Sequence, residues 1–253
     1  MVLISHGAGE DRFFHHNLAT ELAKQGFIVA APTHPGDNIH DMANLFTARQ
    51  FIGRLEDFDF LITALADDAY IGPHIDLRRI GLVGFGAGAD TALLAAGGGI
   101  SQQAWERWKA EAPPDTPYLK PWAKKRIEKT LQTAEVRQSL ANPLLKTLVA
   151  IAPEYDIFFD KNALVLASGP VLLMTRTDGS VKTLQIAASL APGSRLIPTG
   201  SPRALDYIAK PESDLATIIP GETLPSDKQH AALVETMIRE TSRFLLDTIG
   251  KPQ

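Results

Sequence analysis

A short apolar run, Ile80 to Val83, enters a glycine-framed turn, Gly84-Phe85-Gly86-Ala87-Gly88, and the Ala-rich stretch Thr91–Ala96 continues as a helix. A sharp strand-to-helix turn of this form exposes its middle side chain, and a serine there acts as a nucleophile. The middle residue here is Gly86, which has no side chain. The frame for covalent ester chemistry is present; the attacking atom is not.

Other residues of chemical interest lie close to the amino terminus. The loop His6-Gly7-Ala8-Gly9 follows the apolar run Val2-Leu3-Ile4-Ser5, and His15-His16 opens a helical segment. His34, Asp37, His40 and Asp41 fall in one loop, a mixture of imidazole and carboxylate that suits a metal in principle. His34-Pro35-Gly36-Asp37 also reads as a structural turn, and no metal is assigned. The chain has no cysteine, which excludes disulfides, thiolate catalysis and cysteine-based zinc sites. There is no Walker loop, and the spacing Gly81, Gly84, Gly86 does not fit a dinucleotide fingerprint. No cofactor is expected.

These residues need a scaffold. At 253 residues, with 45% hydrophobic content, the chain suits one large domain, 1–253. The net charge of −4 gives no basic excess for nucleic acid or an anionic membrane, and no apolar run reaches transmembrane length. Short apolar runs at Val2–Ser5, Phe27–Ala31, Arg79–Val83, Thr147–Ile151, Val171–Met174 and Ser194–Pro198 alternate with helical patterns. The helices are expected over Phe13–Lys24, Leu45–Ala66 and about Ser226–Ile249, the last with Leu233, Met237, Phe244 and Leu245 on one face. Such alternation predicts an α/β fold with a mostly parallel sheet flanked by helices. Residues 100–145 interrupt it with Trp105, Trp108, Trp122 and Pro113-Pro114 and no strand pattern. They read as a helical insertion, either a lid or a surface excursion packed by its tryptophans. The run Lys124-Lys125-Arg126 reads as a solvated helix face.

Four segments together resemble the α/β-hydrolase superfamily, and within it the dienelactone hydrolase-like and platelet-activating-factor acetylhydrolase-like esterases. They are Leu3–Gly9, Val29–Asp37 with its Ala31-Pro32-Thr33-His34-Pro35-Gly36 core, the Gly84–Gly88 turn, and Pro170-Val171-Leu172-Leu173. The resemblance implies an α/β-hydrolase fold, a lid over the pocket, a Ser–His–Asp triad and two backbone donors for an oxyanion. Gly7 or Ala8 would supply one donor and Ala87 the other. The acid would follow the Pro170–Met174 strand, where Asp178 stands, with Gly179 as the other candidate for that position. The histidine would follow the last strand, but Thr199-Gly200-Ser201-Pro202-Arg203-Ala204 contains none, and Arg203 cannot act as a base. Of seven histidines only His230 lies beyond residue 74, in the first turn of the final helix. Asp90, one turn into the helix after Gly86, suits the positive helix end without any catalytic task.

Two functional expectations follow. One is an esterase-related protein, catalytically impaired, that binds a small ester, lactone or lipid-like ligand. The other is a carboxylic-ester hydrolase whose water is activated by His230 and Asp178. The resemblance also implies edge strands before Val2 that the sequence does not contain. Phe27–Ala31 would then be an exposed edge suited to homodimerisation. The compartment stays open: cytoplasmic as the sequence stands, periplasmic or secreted if a segment precedes it.

Overall fold

Residues 1–99, 101–112, 114, 116–132, 141–154, 169–175, 191–200, 203–208 and 227–251 are described by a computed structural model. Six strands alternate with helices: β1 (Val2–Ser5), α1 (His16–Lys24), β2 (Val29–Ala30), α2 (Ala48–Asp67), β3 (Ile80–Phe85) and α3 (Ala87–Ala95). Then follow α4 (Gln102–Glu111), α5 (Pro121–Leu131), β4 (Leu145–Ile151), β5 (Val171–Thr175), β6 (Arg195–Pro198) and α6 (Asp227–Ile249). All neighbours pair in parallel, in the order β2-β1-β3-β4-β5-β6.

The central strands are apolar throughout because both faces are covered. Alternate side chains divide between two cores. Leu3, Leu82, Leu148 and Leu173 pack with Phe58 of α2, Leu93 of α3, Trp105 of α4 and Ile127 of α5. Val2, Ile4, Val83, Phe85, Val149 and Met174 pack on the opposite face with Leu18 and Leu22 of α1 and Met237, Phe244 and Leu245 of α6. The apolar periodicity of α1 and α6 is thus the face that each helix buries.

Several elements differ from expectation by one to three residues at an end, two of them for a visible reason. The strand expected over Phe27–Ala31 pairs only at Val29 and Ala30, and among the described residues no strand lies on its outer side. The first helix begins at His16 rather than Phe13, because Asp11 to His15 fold as turns that bring Glu10 and His15 together. Among the described residues of the insertion, α4 and α5 are helical. Trp105 is fully buried and stacks on Trp108 at 5.2 Å, while Trp122 stays half exposed. Lys124, Lys125 and Arg126 are exposed, and Arg126 also donates to the carbonyls of Ala43 and Leu45.

The chain moves from β1 outward to β2, then crosses back to β3 on the other side of β1. Connections leave β1 and β3 in opposite directions at this switch point, the usual place for a ligand crevice in an open α/β sheet. In register, Ser5 stands beside Gly84 and Phe85 beside Ile151, so the loops after β1, β3 and β4 meet at one end.

Candidate active site

Gly86 sits between β3 and α3 with φ 53° and ψ −119°. That is a conformation a side chain tolerates only with strain, and glycine adopts it freely. Its N–H donates to the carbonyl of Ile151 at 3.0 Å, tying the turn to β4. The flanking glycines are set by distance. A Cβ on Gly84 would stand 1.9 Å from the Gly88 carbonyl oxygen, and one on Gly88 would stand 2.2 Å from that of Ser5. The sequence therefore builds a tight, strained elbow, and its central position is bare.

The loop after β1 is held from beneath by Arg54 of α2, 1% exposed. Its guanidinium donates to Asp37 Oδ2 from Nε at 2.9 Å and Nη2 at 2.7 Å, to the His6 carbonyl at 2.5 Å and to the Gly7 carbonyl at 3.3 Å. In a trans peptide the N–H points opposite to its C=O, so the N–H groups of Gly7 and Ala8 face away from Arg54. The Gly7 N–H donates to Glu10 Oε2 at 2.7 Å. This expected oxyanion donor is already engaged by the protein's own carboxylate. Among the described residues the N–H groups of Ala8 and Ala87 make no hydrogen bond, and the latter opens α3, where no intrahelical acceptor exists.

Glu10 is 3% exposed, and its Oε2 also meets His15 Nε2 at 2.8 Å. The His15 charge and these hydrogen bonds hold the carboxyl below the usual range, although burial pushes it upward. The His15 ring stacks on Phe85, the residue before Gly86, at 3.5 Å and 4°. Beyond β4, Glu154 donates its backbone N–H to Asp90 Oδ2 at 3.2 Å. Glu154 keeps part of its surface, yet burial of its carboxyl, with the Glu10 and Asp37 charges adding, pushes it up to about 8.

A second hydrogen-bonded series runs below the loop. Ser5 Oγ meets His34 Nε2 at 2.9 Å, and His34 Nδ1 meets Asp57 Oδ2 at 2.8 Å. Burial, then the Arg54 charge, holds His34 well below its ordinary value. The neutral ring donates through Nδ1–H and accepts the Ser5 hydroxyl. The order matches a Ser–His–Asp relay, but Ser5 is fully buried and Arg54 donates to the same Oγ at 3.2 Å. No substrate reaches it; the series braces β1 against β2 and α2. His34 and Asp37 turn inward to different partners, while His40 and Asp41 are exposed. Among the described residues no group of three potential ligands could hold a metal.

Asp178 and Gly179 lie outside the described residues. His230 is half-buried in the first turn of α6 and makes no hydrogen bond among the described residues. The groups brought to the elbow are instead Glu10, His15 and Glu154. Sequence reasoning missed both glutamates. The five-residue separation of Glu10 and His15 was the one local signal, and it is hidden by the turns between them.

The fold and the elbow together define an α/β-hydrolase fold. The Pyrococcus furiosus esterase Pf2001 superposes with a TM-score of 0.52 at 13% identity, over 98% of this chain and 83% of that one. A ferulic acid esterase from Streptomyces cinnamoneus superposes with a TM-score of 0.59 at 15% identity, over 100% of this chain and 68% of that one. No family model and no curated protein sequence matches the chain.

Proposed function

We propose that this chain is an esterase-related α/β-hydrolase protein that has lost serine-dependent catalysis and retains a site for small ester, lactone or lipid-like ligands. One observation carries the reading: Gly86 occupies the strained elbow conformation with no nucleophile on it. The N–H groups of Ala8 and Ala87, unbonded among the described residues, support a remaining pair of donors for a carbonyl oxygen. The dienelactone hydrolase-like relationship rests on the motifs of the sequence. The α4–α5 layer is assigned as the lid, and the complete burial of Trp105 favours a fixed wall over a flap.

The test is intact-mass analysis after acid quench of wild type and Gly86→Ser with p-nitrophenyl butyrate. Wild type is expected to show no butyryl adduct. A stoichiometric adduct on wild type, located by peptide mapping near the elbow, overturns the loss of covalent chemistry. Gly86→Ser alone is expected to stay nearly silent, because Glu10 holds the Gly7 donor and the segment Thr199–Ala204 directly after β6 contains no histidine.

A second reading, hydrolysis by directly activated water, is favoured by the ionisable groups gathered beside Gly86. His230 and Asp178 are its sequence-derived candidates, and His230→Ala would remove activity that depends on that base.

A further inference from the structure

We propose that Glu10 and Glu154 form the acid–base pair of a direct water attack at the Gly86 elbow, with His15 positioning Glu10, on small uncharged or cationic esters and lactones. The proposal rests on the second reading above and replaces its candidate groups.

Three loops supply the cluster. Glu10 follows β1, His15 precedes α1, and Glu154 follows β4, next to the strand end that binds the Gly86 N–H. Glu10 uses only Oε2 for its bonds to Gly7 and His15; Oε1 accepts none among the described residues and remains for a water. His15 is 2% exposed, and its Nδ1 is buried with no partner among the described residues. A buried, unpartnered ring nitrogen costs free energy unless something completes it. A water or ligand polar group in the site would do so.

Geometry gives Glu10 the part of the base, with Oε2 fixed by the Gly7 N–H and His15 and Oε1 left for water, and the N–H of Glu154 bonded to Asp90 seats the second carboxyl's residue at the first turn of α3; the opposite displacement of the two carboxyls agrees with these roles. Glu10, held down by His15 and the Gly7 N–H, is ionised and takes a proton. Glu154, at about 8, is protonated at neutral pH and gives one. Glu10 Oε1 removes a proton from water as the water oxygen bonds to the carbonyl carbon. The C=O π pair moves onto the oxygen, toward the Ala8 and Ala87 N–H groups. On collapse the carbonyl re-forms, the bond to the alcohol oxygen breaks, and Glu154 protonates that oxygen. Acid and alcohol leave with Glu10 protonated and Glu154 ionised, and one proton returned through solvent resets the pair. Two glutamates and Asp90 at one elbow disfavour anionic substrates, which sets the substrate class.

The experiment measures p-nitrophenyl acetate and γ-butyrolactone hydrolysis between pH 4 and 10, with a sulfonyl fluoride present to silence serine esterases. The titratable and charged groups facing Glu154 are Glu10, Asp37, Arg54 and Asp90, and those facing Glu10 are His15 and His6, the latter neutral over this range. Wild type is expected to hold its rate at pH 5, where a catalytic histidine of ordinary pKa is mostly protonated, and to lose it as pH rises through about 8. Glu10→Gln and Glu154→Gln are expected to lose roughly 10²-fold or more, as removal of a general base or acid does. His15→Phe should move the acidic limb upward, and His15→Gln, which keeps a donor to Glu10, should restore it. Turnover that both glutamine variants leave within about threefold, or that persists unchanged above pH 9, overturns this pair and leaves water attack by other groups standing. No turnover of either substrate by folded wild type overturns the pair and the second reading together. The wild-type pH profile decides the matter even if the buried Glu10 variant does not fold.

Discussion

Gly86 changes stability as well as chemistry. A side chain at φ 53° carries strain that glycine avoids, so Gly86→Ser should cost about 1–3 kcal/mol, read by urea denaturation. Arg54 is a different case, because it is a buried charge satisfied by Asp37 and two carbonyls. Arg54→Met leaves the Asp37 carboxylate buried without its cation and should cost about 3–5 kcal/mol; a loss below about 1 kcal/mol would show that the loop has another support. Protonation acts through the histidines. Burial, then the Arg54 charge and the neighbouring His34 ring, holds His6 down to about 3, and His34 is also lowered. Both bind protons more readily unfolded than folded, so stability is full above about pH 6.5 and falls as pH drops toward 3. Glu154 runs the other way. Its folded value of about 8 lies above the ordinary 4.5, so its contribution is full below 4.5 and is lost as pH rises through 8. Glu154→Gln should therefore raise the unfolding midpoint at pH 8.5 relative to wild type and leave it nearly unchanged at pH 4. Equal shifts at both values would remove the assigned titration.

At the level of elements, strands were the readable part. Val2–Ser5, Val171–Met174 and the core of β3 and β4 are apolar runs buried on both faces, and no polar alternative competes for them. The apolar run Phe27–Ala31 is longer than the paired strand Val29–Ala30, because an apolar run marks burial, whereas pairing depends on what lies alongside. The elbow was legible from glycine spacing, since a Cβ on either of two of its glycines would stand under 2.5 Å from a backbone oxygen. The acid–base groups were not. Glu10 and Glu154 are 144 positions apart in sequence, and only the parallel register of β1, β3 and β4 brings their loops to one end. Phe46 was also invisible: a non-glycine residue at φ 61°, held by Gln50 through its N–H and by Thr130 through its carbonyl. Its ring lies 5.5 Å from both Tyr118 and Trp122. Trp105, the anchor of this layer, is fully buried; Trp105→Ala should cost about 3–5 kcal/mol and loosen α4 and α5 together, which hydrogen exchange would resolve.

For the whole molecule, the outer side of β2 matters most. Val2 donates to the Ile28 carbonyl, so the Val29 N–H points away from β1. An edge of this kind recruits strands from other copies. Light scattering should show mass rising with concentration, and Val29→Pro, which removes an outward donor only, should suppress the rise without lowering the unfolding midpoint. A constant monomer mass to high concentration would exclude edge pairing. The three tryptophans have a different consequence. All of them lie on α4 and α5, none on the sheet or on α1 and α6. Intrinsic fluorescence is therefore blind to most of this protein and reports one layer of it. If that layer detaches before the sheet melts, an emission-monitored transition will precede the one seen by far-ultraviolet dichroism. Coincidence of the two curves would mean that the inserted helices and the sheet unfold as one cooperative body.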